Sequence, residues 1–181
     1  MLFIATTGVA LVRSPRYLAE KIADAVDERL PRVRDEAKFW KSVQRAWELT
    51  PAELPALQAR IASKYCRNLD IWQALPRLRR RGRVVLLHAG SHLVFECWRE
   101  AYRFDTAFDD VLLGERSLIG SDAALYLWAA EREGSAPADC VVVEATRAGV
   151  EAALAAGLRA YRYGTAYGLE RWLDDRGYTD Y

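Results

Sequence analysis

Apolar residues follow two patterns along this chain, and together the patterns predict an α/β fold. Short continuous runs such as "VVLL" and "VVV" are typical of strands covered on both faces of a sheet. Segments in which apolar residues return every three or four positions are typical of amphipathic helices. The runs predict five strands. They lie at residues 2–4, 84–90 (a range that includes the turn after the strand), 109–114, 140–145 and 159–164. Because helices separate the strands, we expect right-handed crossovers and a mainly parallel sheet.

A long helical block separates the first predicted strand from the second. Helical spacing runs through residues 15–76, and the pair Ser14-Pro15 predicts a helix start, with Ser as cap and Pro at the first helical position. A capping box at Thr50–Glu53 predicts the start of another helix. A last helix, which begins inside the block and leads into the second strand, is expected to stop at Gly82. Further helices are predicted around residues 71–81, 93–102, 122–133, 150–156 and 169–173.

This arrangement predicts one core interrupted by an insertion. We expect residues 1–13 and 77–181 to form the α/β core and residues 14–76 to form a helical cap. An insertion after the first strand emerges at the carboxyl edge of a parallel sheet, which is where α/β proteins bind their ligands. The predicted cap therefore covers the edge at which a functional site is expected.

The apolar run "FIATTGVAL" near the N-terminus is interpreted as a strand rather than a signal peptide. No basic residue precedes Leu2, whereas Arg13 and Arg16 follow the run, and the run is shorter than the roughly 20 residues that span a bilayer. The three cysteines are odd in number and far apart, which predicts neither a disulfide framework nor a metal site. We expect a soluble, cytoplasmic protein with no membrane partner.

Charge does not favour a nucleic-acid partner, because 26 Lys and Arg balance 25 Asp and Glu. One cluster of arginines permits two interpretations. It would either bind an anion or complement the dipole at the C-terminal end of a helix, and the second is the more common role. The cluster consists of Arg77, Arg79, Arg80, Arg81 and Arg83.

Three stretches of the chain resemble the haloacid dehalogenase (HAD) superfamily of phosphohydrolases, in the subgroup with a small helical cap. They are "LRRRGRVVLLHAGSH", "YRFDTAFDDVLLGE" and "ADCVVVEATRAGVEAALAAGLRAY", which are similar to the family's second motif, the approach to its third strand, and its fourth motif. The resemblance covers nearly the whole chain. It implies a HAD-like Rossmannoid core with a mainly parallel sheet and an inserted helical cap.

The resemblance does not extend to the catalytic residues of the first motif. In the family the first strand ends in Asp-x-Asp-Gly, whose first Asp is the nucleophile and whose second is the general acid. This chain has Ala5, Thr6 and Thr7 there, and only Gly8 matches. No Asp or Glu precedes Glu20, so a shifted alignment does not restore the motif.

The other three motifs are also degenerate. His88 stands where the family has Ser or Thr, and Gly120 or Ser121 stands where it has Lys. Of the acidic pair that completes the Mg²⁺ site only Glu144 remains, beside Ala145. Because Mg²⁺ is held by oxygen ligands that are mostly carboxylates, we expect no metal, no cofactor and no catalytic residue of the family's kind. The resemblance thus implies a pseudo-phosphatase.

Two functional hypotheses remain open from the sequence. In the first, the chain is an inactive relative that binds, scaffolds or assists another protein. In the second, the former active site binds a small molecule or has rebuilt, non-phosphatase chemistry, using His88, Glu144 and the hydroxyls of Thr6 and Thr7. The simpler interpretation of His88 and Glu144 is a hydrogen-bonded pair that replaces the metal.

Aromatic residues in the predicted cap favour a protein partner or a homodimer. Trp, Tyr and Arg are enriched at the centre of stable protein interfaces, and this chain has six Trp and nine Tyr. Trp40 and Trp47 are seven residues apart and so share one face of a helix. They are the candidate contact surface, and if Phe39 and Val43 fill the core side we expect one of the two tryptophans to face outward.

Overall fold

The computed structural model of the chain describes residues 1–30, 33–114 and 122–178. Its main element is a five-stranded parallel sheet, whose strands are β1 (Leu2–Ala5), β4 (Val84–His88), β5 (Asp110–Leu113), β6 (Val141–Glu144) and β7 (Arg159–Arg162). Their order across the sheet is β5-β4-β1-β6-β7. All five correspond to runs predicted from the sequence, and the predicted α/β class with a mainly parallel sheet is confirmed.

Strand β1 lies at the centre of the sheet and its side chains point alternately to two helical layers. Phe3 packs with Leu125 and Ala153 in one apolar cluster. Leu2 and Ile4 belong to the cluster on the opposite face. Burial on both faces explains why this strand is a continuous apolar run rather than an alternating one.

The helices flank the sheet and fill the insertion. They are α1 (Lys21–Asp27), α2 (Glu36–Ala46), α3 (Glu53–Ala62), α4 (Leu69–Arg81), α5 (His92–Tyr102), α6 (Phe104–Ala107), α7 (Asp122–Arg132), α8 (Arg147–Ala155) and α9 (Ala166–Asp174). A 3-10 turn spans Pro137–Asp139. Among the described helices, none has the length and apolar character needed to cross a bilayer.

Two short strands that were not predicted enclose the insertion. Strand β2 (Leu11–Arg13) pairs antiparallel with β3 (Tyr65–Arg67), so the chain leaves the core through one strand and returns through its neighbour. Helix α4 follows β3 and packs on β4 and α9 of the core. We therefore propose that the insertion spans residues 14–64, which places α4 in the core rather than in the cap of residues 14–76.

The helix start predicted at Ser14-Pro15 is wrong, whereas the capping box predicted at Thr50–Glu53 matches the local geometry. The first helix, α1, begins at Lys21 and not at Ser14-Pro15. Ser14 instead follows β2, and its backbone amide donates to the carbonyl of Lys64 at 2.7 Å, beside the β2–β3 pair. At the predicted capping box, the amide of Thr50 donates to the carboxylate of Glu53 at 2.8 Å, just where α3 starts.

The arginine cluster is used within the fold. Four of its members form ion pairs that join α4 and the start of β4 to neighbouring elements. These pairs are Arg77–Glu170 at 2.7 Å, Arg79–Asp109 at 2.6 Å, Arg81–Asp174 at 2.6 Å and Arg83–Glu133 at 2.7 Å. Their charges are thus engaged at the edge of the sheet opposite the carboxyl ends of the strands, which agrees with a structural role.

Candidate functional site

The carboxyl ends of β1, β4 and β6 enclose a cavity of about 130 Å³. Its lining includes five of the residues singled out from the sequence, namely Ala5, Thr6, Thr7, His88 and Glu144. Leu87, Ala89 and Leu125 are the other described residues that line it. Gly120 and Ser121, at the position of the missing lysine, lie outside the described residues. The parallel sheet brings these side chains together because all three strands end at the same edge.

A second cavity, of about 250 Å³, continues the first toward the insertion. It shares Thr7, His88 and Ala89 with the smaller cavity. Asp27, Leu30 and Tyr65 line it from the insertion and its return strand, whereas Gly90, Ser91, Val94 and Trp98 line it from the core. The two cavities form one cleft between insertion and core, and we refer to them together as the cleft.

The first-motif positions have no titratable group. Ala5 contributes only a methyl group at the end of β1. The hydroxyl of Thr6 is buried and donates to the carbonyl oxygen of Leu87 at 3.1 Å, so it links β1 to β4. Thr7 is exposed at the mouth of the cleft. A hydroxyl that donates to a backbone carbonyl inside a sheet is a structural group, which leaves Thr7 as the accessible polar side chain of this segment.

His88 is held by packing. Its ring is only 3% exposed and lies 4.7 Å, centroid to centroid, from the ring of Phe95. Its Nε2 lies 3.3 Å from the carbonyl oxygen of Ser91, which fits donation from the Nε2–H tautomer. A β-carbon on Gly90 would lie 2.6 Å from the ring, so the glycine makes room for the imidazole.

Glu144 lies on the opposite wall of the cleft, and the described donors to its carboxylate are groups other than His88. The hydroxyl of Tyr126 donates to Oε1 at 2.7 Å and the amide of Ala145 donates to Oε2 at 3.2 Å. The carboxylate packs over Gly149 at the start of α8, where a β-carbon would lie 2.7 Å from it. The described hydrogen bonds of His88 and Glu144 thus lead to different partners, rather than joining the two as the sequence suggested.

The donor set does not fit the Mg²⁺ that the resemblance implies. Glu144 is the only carboxylate among the described residues that line the smaller cavity, and Ala5, which stands at the position of the family's nucleophile, offers no oxygen ligand. Within the described ranges no group of three or more His, Cys, Asp or Glu side chains is placed to hold a metal ion. Magnesium needs several oxygen ligands in near-octahedral geometry, and these residues do not supply them.

A buried charge cluster at the edge of the cleft was not predicted. Lys64 is 3% exposed, and its Nζ lies 2.6 Å from Asp24 and 2.7 Å from Asp27. The hydroxyl of Tyr65 donates to the same carboxylate of Asp27 at 3.2 Å. The spacing of the two aspartates by three residues puts them on one face of α1. This spacing is the signal in the sequence that could have pointed to the cluster, but Lys64, which pairs with both aspartates, lies far along the chain.

Protonation in this cluster follows from its contacts. Burial alone would lower the pKa of Lys64, but hydrogen bonds to Asp24 and Asp27 raise that pKa above its ordinary value. Burial raises the pKa of Tyr65, and the charge of Asp27 raises it further. At neutral pH the cleft therefore has a charged Lys64 behind its wall and a neutral phenol on its surface.

The two tryptophans singled out from the sequence differ in exposure. Trp40 is 3% exposed and packs edge-on against Phe39 at 5.4 Å. Trp47 is half-buried at the end of α2. Trp40 thus offers almost no surface to a partner, because the helix face it shares with Phe39 and Val43 is turned into the core. Any contact surface at this position rests on Trp47.

Comparison with solved structures shows the fold. A HAD-family enzyme from Bacteroides thetaiotaomicron, solved with magnesium and inorganic phosphate, superposes with a TM-score of 0.69 at 12% identity, over 91% of this chain and 93% of that chain. A predicted HAD-like hydrolase from Porphyromonas gingivalis gives 0.70 at 15% identity, over 95% and 96%. A putative β-phosphoglucomutase from Thermotoga maritima gives 0.58 at 22% identity, over 93% and 89%.

These likenesses establish a HAD-like fold that extends over nearly the whole chain. No protein-family model and no curated protein sequence matches the sequence of this chain. The identities are low, so the likeness carries the architecture and not the chemistry of those enzymes. What the chain does is argued from the residues of its own cleft.

Proposed function

We propose that this chain is a non-hydrolytic, ligand-binding protein built on the HAD fold. The observation that carries the proposal is the pair Ala5 and Thr7 at the carboxyl end of β1, where HAD-like phosphatases need a nucleophilic and an acidic carboxylate. A methyl group forms no covalent phosphoryl intermediate. A threonine hydroxyl does not titrate near neutral pH and is no substitute for the acid.

The surrounding contacts support the same conclusion. Thr6 donates to the backbone of β4, and the carboxylate of Glu144 accepts from Tyr126 and from a backbone amide. Groups held in this way are poor candidates for rebuilt acid–base chemistry, because moving them would break hydrogen bonds inside the fold. The rebuilt-enzyme hypothesis is therefore the weaker of the two that the sequence left open.

The cleft supports ligand binding over a purely structural role. A retired active site that serves only as scaffold is expected to be filled by side chains, whereas here a space of about 250 Å³ remains between insertion and core. Its wall combines apolar and aromatic surface, including Trp98 and Val94, with polar groups such as Tyr65 and with the carboxylate of Asp27, whose charge Lys64 balances. This mixture suits a small, largely uncharged molecule.

The absence of hydrolysis is tested with p-nitrophenyl phosphate and excess Mg²⁺. We expect no turnover. A rate of about 1 s⁻¹ or more, in the range of ordinary enzymes, would overturn the proposal if it belongs to this chain. The variants Thr7→Ala and Glu144→Gln identify its source, because an intrinsic activity at the cleft changes in them while that of a contaminant does not.

Ligand binding is tested separately by screening fragment-sized neutral molecules for shifts in melting temperature and in amide NMR signals. Ala89 lines both parts of the cleft and is exposed, so Ala89→Leu fills the space without disturbing the core. Ala101→Leu, at an exposed position on α5, is the matched control. Binding that survives Ala89→Leu, or the absence of any binder, would argue against a ligand site in the cleft.

A protein partner or a homodimer is the second proposal, and it is narrower than the sequence suggested. Its structural support is the half-buried Trp47, since Trp40 is enclosed. Light scattering at micromolar concentration tests it, with Trp47→Ala as the variant. A strictly monomeric particle together with an empty native pull-down would contradict it.

A further inference from the structure

The carboxylate of Glu36 lies at the N-terminal end of α5, although Ser91, the N-cap of that helix, is 55 residues further along the chain. The hydroxyl of Ser91 donates to Oε1, and the backbone amide of His92 donates to Oε2 at 3.0 Å. The amide of Leu93 approaches Oε1 at 3.4 Å. The indole Nε1 of Trp40, one turn further along α2, also donates to Oε1, at 3.0 Å. Four donors from two elements thus converge on one carboxylate.

The contact satisfies groups that α5 cannot satisfy itself. The first amides of a helix have no intrahelical partner, and the helix dipole makes this end favourable for an anion. Ser91 is the N-cap and accepts from the amide of Val94 at 3.2 Å. The preceding amides, of His92 and Leu93, are left over, and Glu36 accepts from both.

The environment keeps Glu36 ionised. Burial alone would raise its pKa, but the donors from Ser91, Trp40 and the amides of α5 outweigh burial and hold the pKa below its ordinary value. Hydrogen bonds to an ionised acceptor are about twice as strong as those between neutral groups. The carboxylate is therefore a charged cross-link and not a neutral contact.

Other bonds also join α5 to the insertion or to its return strand β3. The indole Nε1 of Trp98 donates to the carbonyl of Ala62 at 2.8 Å, and the hydroxyl of Tyr102 donates to the carbonyl of Tyr65 at 3.0 Å. These two bonds lie further along α5 and are neutral. Glu36 supplies the charged bond at the N-terminal end of α5, next to Ser91, which lines the cleft.

We propose that Glu36 is an intramolecular anion that fills the carboxylate-binding N-terminus of α5 and thereby latches the insertion closed over the cleft. While the latch is in place, the donors of Ser91, His92 and Leu93 are not accessible to an external anion. Opening of the insertion exposes them and widens the cleft on the side of Ser91. This inference does not depend on whether the cleft binds a ligand.

Amide hydrogen exchange, followed by NMR, tests the latch in the folded protein. In Glu36→Gln we expect exchange at His92 and Leu93 to accelerate by about tenfold, since the charge-assisted bonds are weakened. The matched control is Asp35→Asn, next to Glu36, because Asp35 caps only its own helix through the amide of Lys38 at 2.9 Å. In this control the two α5 amides should keep their rates.

The internal reference is the start of α8, where Arg147 and Ala148 occupy corresponding positions after the cap Thr146. Their rates should be unchanged in Glu36→Gln. Unchanged exchange at His92 and Leu93, or an equal acceleration of the α5 and α8 amides, would overturn the latch.

Chemical rescue tests the anion site by a second route. Glu36→Ala removes the carboxylate, and formate is small enough to take its place among the same donors. We expect formate to raise the urea midpoint of Glu36→Ala along a saturating curve, relative to chloride at equal ionic strength, but not that of the wild type or of Asp35→Ala. Equal effects of formate and chloride would contradict the proposal. If Glu36→Ala does not fold in either salt, the exchange rates in Glu36→Gln decide.

Discussion

Gly8 and Ala145 are in such close contact that a β-carbon on Gly8 would lie 2.4 Å from the β-carbon of Ala145. Gly8 also has a φ of +87°, in the left-handed region that residues with a side chain rarely adopt. The turn after β1 is thereby packed directly on the end of β6. This contact sets the width of the cleft at its base, because Thr7 and Glu144 are the neighbours of these two residues on the cleft wall.

Gly8→Ala is expected to destabilise the protein by about 3 kcal/mol, as the sum of left-handed backbone strain and overpacking against Ala145. Gly134→Ala is the matched control, since Gly134 has a φ of +62° but open space around its α-carbon. That variant should lose only the backbone part, about 1 kcal/mol. Urea denaturation measures both, and equal losses would show that the contact with Ala145 relaxes without cost.

The core sheet could be predicted because its strands are apolar on both faces. Runs such as "VVLL" and "VVV" are typical of strands in a covered parallel sheet, and the structure has strands at Val84–His88 and Val141–Glu144. Strands β2 and β3 were missed for the opposite reason. Each has three residues, and each exists because it pairs with the other across the whole insertion. Local patterning does not contain that information.

The residues in and around the cleft were also predicted only in part. Ala5, Thr7, His88 and Glu144 were singled out because the resemblance to the HAD superfamily aligns them with its motifs at the strand ends, and they do line one cavity. Lys64 and Glu36 were missed because their partners lie on other elements, and an isolated Lys or Glu in a helical block has the appearance of an ordinary surface residue. The predicted hydrogen bond between His88 and Glu144 could not be checked from the sequence, because it depends on the directions of the two side chains. In the structure, packing on Phe95 orients the ring of His88, and the hydrogen bond from Tyr126 orients the carboxylate of Glu144.

Lys64→Met is expected to lower the free energy of unfolding by about 3 kcal/mol, because it leaves the carboxylates of Asp24 and Asp27 close together without their shared cation. Methionine keeps most of the length of the side chain, so the loss reports mainly on charge rather than volume. The exposed Lys38 offers the matched control Lys38→Met, which should change stability very little. A loss in Lys64→Met no greater than in the control would mean that the two aspartates are solvated enough to repel each other weakly.

The contribution of Glu36 to stability should depend on pH. Its pKa in the folded protein is lower than its ordinary value, so the stabilisation is present above the unfolded pKa and disappears as the pH falls through the folded pKa. We therefore expect the difference in urea midpoint between the wild type and Glu36→Gln to be large at pH 7 and to shrink in acid. Glu28→Gln, at an exposed position after α1, should show a small difference at both pH values. A difference in urea midpoint that stays constant with pH would contradict the proposal that Glu36 forms the latch as an ionised carboxylate.

Restoring the two carboxylates of the first motif is expected neither to produce a phosphatase nor to stabilise the protein. The double variant Ala5→Asp, Thr7→Asp places two new carboxylates in a cavity whose described wall already has that of Glu144. Carboxylates at such short range raise one another's pKa, which makes the folded state less favourable at neutral pH. No lysine is restored, since Gly120 or Ser121 occupies its position.

The neutral double variant Ala5→Asn, Thr7→Asn separates charge from volume. At pH 7 we expect the aspartate variant to be less stable than the asparagine variant by about 1–3 kcal/mol, which corresponds to one or two pKa units. Because the folded pKa values are raised, this difference should vanish as the pH falls and the carboxylates become protonated in both states. Urea midpoints at pH 7 and pH 4 measure it, with p-nitrophenyl phosphate and Mg²⁺ as the activity assay. Equal stability of the two variants at pH 7 would mean that cationic groups still face the end of β1, and measurable turnover would mean that the cleft has kept more of the hydrolytic machinery than its described residues indicate.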